Sequence, residues 1–165
     1  MNGGQEILIW ILLVVGATTD LVWGKIHNTL TVPVFVLGIG MRASGSGIAG
    51  LSMAVTSVLV AGALFFPLYF LHTVAAGDVK LFMAFAAWSS FKSVIELGIL
   101  SIVMGACVGA VVLFRQAGVR LAVKSVRDHW VSNPELDSHR MPFGPAFLCA
   151  FLFMNLMERH GWSLF

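Results

Sequence analysis

Residues 7–24 read ILIWILLVVGATTDLVWG, and this stretch decides the fold. Its single ionisable side chain is Asp20. A helix that crosses a bilayer needs about 20 mostly apolar residues, and this run meets that need from Ile7 to Gly24, where Lys25 closes it. The residues before it, MNGGQE, contain no Lys or Arg. They lack the basic region of a cleaved secretory signal, so the run reads as a retained helix.

The rest of the chain repeats the pattern. A second apolar run extends from Ile26 to Met41 and stops at Arg42, and Ala43-Ser44-Gly45-Ser46-Gly47 follows as a turn by composition. A third runs from Ile48 to about Leu71, with a break suggested by Pro67, His72 and the small residues Ala75, Ala76 and Gly77. A short fourth run reaches Ser90, and a fifth spans Val94–Phe114. Residues 115–141 are the one long polar segment, and a sixth run goes from Pro142 to Met157. These runs are too long and too uniformly apolar for the alternating 9–11-residue strands of a barrel. The expectation is an all-α, polytopic integral membrane protein of about six transmembrane helices, built as a single domain over residues 1–165.

Composition agrees. The 165 residues are 58% hydrophobic and 11% charged, well under the roughly 25% charge of soluble domains. Cys107 and Cys149 lie singly in apolar runs and read as small packing residues; a zinc ribbon is excluded by their number. No metal, no other cofactor and no nucleic-acid partner is expected; the lipid bilayer is.

Orientation follows from the basic residues. In a six-helix arrangement Lys25, Lys80, Arg115, Arg120, Lys124, Arg127 and Arg140 share one side, against Arg42, Lys92 and Arg159 on the other. The positive-inside rule places the first set in the cytoplasm and both termini outside. Segment 115–141 is then a cytoplasmic loop, either plainly solvated or partly an amphipathic helix on the anionic lipid surface. Trp23, Trp88 and Trp162 fall at helix ends and read as interface anchors.

The second decisive feature is a pair of acids. Asp20 lies one turn inside the cytoplasmic end of the first helix, and Asp78 near the cytoplasmic start of the fourth. Two full crossings separate them, so they return to the same side at similar depth. An Asp at the centre of a membrane helix costs roughly 2.5–3.5 kcal/mol on insertion scales, and less near an interface. Each alone is explained blandly: Asp20 as an interfacial anchor, Asp78 as a helix cap. Together they suit a pair that shares one proton, in which one carboxylate deprotonates a water and the other protonates a peptide carbonyl. The competing readings are a proton-coupled carrier, which wants acids on both sides of the midplane where only Glu96 is left, and a non-enzymatic membrane scaffold. Helix dipoles add an expectation: Asp78 at the positive start of its helix as base, and Asp20 near the negative end of its own as acid.

Three motifs then fall in order along nearly the whole chain. Asp20-Leu-Val-Trp-Gly-Lys-Ile-His-Asn28, Ala75-Ala76-Gly77-Asp78 and Met141-Pro142-Phe143-Gly144-Pro145 together resemble the type IV prepilin peptidases; the short form looks like the Tad/Flp-pilus branch, and archaeal preflagellin peptidases are also related. His27 stands where that family usually has Pro. The resemblance implies a GxGD-like aspartic endopeptidase of the cytoplasmic (inner) membrane, serving type IV pilus assembly or protein secretion. Such an enzyme removes short basic leaders from prepilins or pseudopilins at the cytoplasmic face, after a Gly that precedes the apolar segment. It implies Asp20 and Asp78 as the catalytic pair. The paired cysteines of the longer, methylating members are not found here, so methyl transfer is not expected.

Around that pair, Gly77 lets a substrate backbone approach Asp78, or simply lets helices pack. Lys80 snorkels to the interface or tunes the pair. Lys25, Asn28, Pro142, Gly144 and Pro145 are candidates to shape the site; the alternatives are that Asn28 only satisfies backbone groups and that the prolines only start a helix, in a first turn where a missing N–H costs little.

Overall fold

A computed structural model describes residues 3–129 and 143–160. Among the described residues the chain forms five helices and no strand: α1 (Gly3–Trp23), α2 (Asn28–Phe70), α3 (Ala76–Trp88), α4 (Phe91–His129) and α5 (Gly144–Arg159). The all-α class expected from the apolar runs is therefore what the chain adopts. Three of these helices are long and apolar enough to cross a membrane: α1, α2 and the part of α4 from Phe91 to Val111. By length and apolarity three spans stand out where about six were expected: α2 joins two of the anticipated segments, and α3 and α5, at 13 and 16 residues, are shorter than these.

α1 stops where a glycine lets it. Gly24 takes a left-handed conformation (φ 61°), and its N–H donates to the Asp20 carbonyl at 2.8 Å. This is the single-bond cap in which a left-handed residue satisfies the last free carbonyls of a helix. Asp20 is thereby fixed in the last turn of α1.

The backbone leaves helical geometry inside α2 at Ser46 (φ −131°) and Gly47 (φ 58°). A Cβ on Gly50 would run into the carbonyl of Arg42, eight positions earlier. In a straight helix those residues are about 12 Å apart along the axis, so the chain folds back on itself here. A straight 43-residue helix would also be about 64 Å long. Yet Ile26 before it packs against Gly77 just after it, where a Cβ would lie 3.1 Å from the Ile26 Cβ. The Gly-Ser turn thus divides α2 into two antiparallel arms, 28–45 and 48–70. The second arm ends at His72, a left-handed non-glycine residue (φ 57°), with the Thr73 N–H donating to the Leu68 carbonyl at 3.0 Å.

α3 is the hub. Asp78, Val79, Leu81, Phe82 and every residue from Ala84 to Trp88 are buried. In lipid, helices associate through close packing and small residues rather than by expelling water. Gly16 of α1 lies against Leu81, Gly38 against Trp88, and Gly98 of α4 against Phe82. Phe65, Phe82, Phe85, Phe147 and Phe151 form a continuous aromatic core from the second arm through α3 to α5.

Three expectations need correction. The helix begun at Phe91 does not end near Phe114 but continues through His129, so the first half of the anticipated 115–141 loop is an extension of α4. Residues 130–142, the rest of that segment with Pro142, lie outside the described residues, as does Trp162. Trp88 is not an interface anchor: it is 3% exposed and its indole N–H donates to the Val34 carbonyl at 2.8 Å, a slot left open by Gly38. Cys107 and Cys149 are free thiols on the outward face rather than interior packing.

Candidate active site

Two helix starts and one helix end converge on the aspartates. Gly16 of α1 touches Leu81 of α3. Asp20 is one turn further along α1, and Asp78 one turn back along α3. Residues spaced by three or four share a helix face, so each carboxylate lies one turn along its helix from the Gly16–Leu81 contact, on the face that makes it. They lie within electrostatic reach of each other. Both are buried, Asp78 to 2% exposure and Asp20 to 9%.

Each carboxylate receives one backbone N–H. Asp78 is the third residue of α3, and its Oδ2 accepts from the Ala75 N–H at 3.1 Å. That is the returning half of a capping box: an acid in the first turn satisfies a donor that the helix start leaves orphaned. Asp78 therefore caps its helix from the third position rather than as the N-cap residue itself. Its second oxygen, Oδ1, is buried with no protein partner among the described residues. Asp20 Oδ2 accepts from the Gly144 N–H at 2.8 Å, across 124 positions of sequence. Gly144 is the first residue of α5, so this bond too comes from a helix N-terminus.

The expected dipole asymmetry has a second contributor at Asp20. Asp20 lies in the last turn of α1 but faces the positive end of α5, as Asp78 faces that of α3.

The other candidate residues divide. Gly144 is in direct contact with Asp20, and Pro145 follows at the second position of α5, where its missing N–H leaves no bond unmade. Gly77 sits next to Asp78 and packs on Ile26, and that close approach is the role its geometry displays. The Lys80 ammonium donates to Asn28 Oδ1 at 3.0 Å, an exposed link that ties α3 to the start of α2. Lys25 is exposed beside this rim. Glu96, the remaining acid considered for a carrier, is in ion-pair range of Lys92 at 3.9 Å. Among the described residues no group of His, Cys, Asp and Glu is arranged to hold a metal ion. A shallow hollow lined by Phe153, Leu156, Met157 and His160 lies at the other end of α5 and contains no acid.

Sequence reasoning missed the backbone donors of Ala75 and Gly144. It also missed Phe143 and Gly105 as the contacts that set the start of α5: a Cβ on Gly105 would overlap the Phe143 ring. The one signal for the second group was the glycine set between Phe143 and Pro145.

The model of the type IV leader peptidase family matches residues 7–110, which include both aspartates. The chain belongs to the type IV leader peptidase family. Membership supports a peptidase acting on prepilin-like substrates, and with the apolar helices it supports a membrane protein. No match was found among curated proteins or among solved structures.

Proposed function

We propose that this member of the type IV leader peptidase family is an intramembrane aspartic endopeptidase that removes the basic leader of a prepilin or pseudopilin, with Asp20 and Asp78 as its catalytic pair. The observation that carries the reading is two buried acids within electrostatic reach of each other, one on α1 and one on α3, each with an oxygen held by a main-chain N–H. A membrane helix pair tolerates such groups only where they are used or paired.

In this reading the pair holds one proton and one water. The ionised carboxylate takes a proton from the water as its oxygen attacks the scissile carbonyl carbon. The protonated carboxyl gives its proton to the carbonyl oxygen, and a tetrahedral diol forms. In the collapse of the diol, one of its hydroxyls gives a proton to the now ionised carboxylate as the C–N bond breaks, and the carboxyl protonated in the first step gives its proton to the leaving amine, so the pair again holds one proton. Groups of this kind contribute typically 10²–10⁴-fold each by proton transfer. No metal or other cofactor takes part.

The same proposal sets the topology. α1, both arms of α2, α3, α4 and α5 make six passes of the cytoplasmic membrane, with the termini outside and the pair near the cytoplasmic face, where Lys25 and Lys80 lie. The apolar helix of the substrate lies beside the pair, and its leader remains in the cytoplasm.

The test is cleavage by purified enzyme in lipid vesicles, using a prepilin with a basic leader and reading the released peptide by mass spectrometry. The expected product ends at the Gly before the apolar segment. Intact substrate with folded enzyme, or a proton flux that depends on both acids in the absence of cleavage, contradicts the proposal.

A further inference from the structure

We propose that Gly144 is a positioning residue for Asp20, and that Gly105 and Phe143 form the notch that seats it; the inference rests on the aspartic-peptidase reading above. The Gly144 N–H lies 2.8 Å from Asp20 Oδ2 and is buried. A Cβ at position 144 would stand 3.0 Å from both the Asp20 Cβ and Oδ2, and 3.1 Å from the Ala17 Cα. One of those neighbours is main chain and cannot step aside. Glycine is the residue that brings its N–H this close without pushing the carboxylate away.

Gly144 has no side chain to anchor it, and its place is set by the residue before. The Phe143 ring lies against Gly105 of α4 so closely that a Cβ there would come within 2.6 Å of the ring Cζ. The same ring meets Phe65 of α2 at 6.2 Å and Phe147 of α5 at 5.5 Å between centroids. Three helices therefore box the ring. Moving it out of the notch drags the adjoining peptide, whose N–H is the one on Asp20. Pro145 limits the backbone on the other side. The line from Gly105 through Phe143 and Gly144 to Asp20 makes the orientation of one carboxylate depend on how α5 packs against α4.

A carboxylate misplaced by about 1 Å costs up to about 10²-fold in rate. It does so in kcat rather than KM, since the bond acts on the reacting group and not on substrate binding. The first variant is Gly105→Ala, which forces the ring from its notch without touching the acids. The expected result is a fall of about tenfold or more in kcat with KM within about twofold. Adding Phe143→Leu, whose smaller side chain fits beside the new methyl group, restores most of the loss.

The second variant replaces Gly144 by glycolic acid, turning the amide into an ester. It removes the N–H, adds no atom, and is expected to lower kcat in the same way. Unchanged kcat in the ester variant, or a Gly105→Ala loss that lies in KM, overturns the inference. Asp20→Asn measured alongside separates the two levels of the argument. If Asp20→Asn still cleaves, the peptidase reading itself falls. If it is inactive while the ester variant is fully active, the positioning role alone falls.

Discussion

At the first turn of α3, the Ala75 N–H reaches Asp78 three residues on in the same helix; at the first turn of α5, the Gly144 N–H reaches Asp20 on α1, 124 positions away. The donors are alike and their origins are not. The α3 bond is local and forms with the helix start. The α5 bond joins two helices and exists only once α1 and α5 have packed, and in the positioning proposal it also depends on the Phe143 ring resting on Gly105. One acid is thus positioned by secondary structure and the other by tertiary structure. The second is the one that a change elsewhere in the bundle disturbs.

The largest way to break this comparison is to add one methyl group to the glycine at each acid. Gly144→Ala presses on Asp20 and the Ala17 backbone, and is expected to lower cleavage by about 10–100-fold. Gly77→Ala meets Ile26 rather than Asp78, at 3.1 Å from its Cβ, and is expected to cost less than about fivefold. Initial rates of leader release at matched enzyme levels check both. Equal losses would show that the two helix starts are not different in kind.

A smaller effect sharpens the contrast from the far end of α3. Trp88→Phe removes the bond to the Val34 carbonyl and is expected to cost about 1 kcal/mol of stability, while cleavage per folded molecule is unchanged. Thermal denaturation in detergent and a rate measurement read the two separately. The smallest effect is expected at His72, whose left-handed backbone (φ 57°) is unfavourable for a residue with a side chain. His72→Gly is expected to raise stability by roughly 0.5–1 kcal/mol, seen as a small rise in melting temperature with no change in rate.

How much of this was legible beforehand differs by residue. Asp20 and Asp78 stood out because an ionisable group in an apolar run is costly, and counting crossings placed them together without exact boundaries. The reversal at Ser46–Gly47 was written in composition. The continuation of α4 to His129 was not, because a change of polarity marks where a helix leaves its apolar surroundings and not where its hydrogen bonding stops. Trp88 was misjudged for a related reason. It ends an apolar run, but α3 is short and Gly38 opens a slot that takes the indole inside.

At Asp20 the dipole of the helix that carries the acid is only part of the local field. The helix that faces it starts 124 positions later. Backbone donors have no side-chain signature, so Ala75 and Gly144 entered the site only through geometry. The Phe143-Gly144-Pro145 sequence hinted at a constrained helix start, but not at the carboxylate it serves.

The central claim is that two acids on separate helices act as one catalytic pair. The direct measurement is leader release from a prepilin by wild type, Asp20→Asn and Asp78→Asn at equal membrane levels. The account predicts cleavage by wild type and, for each variant alone, a loss of about 10³-fold or more, because neither carboxylate completes the proton cycle without the other. Substantial cleavage by either single variant would contradict it, and would leave a peptidase of this family whose buried aspartates do something else.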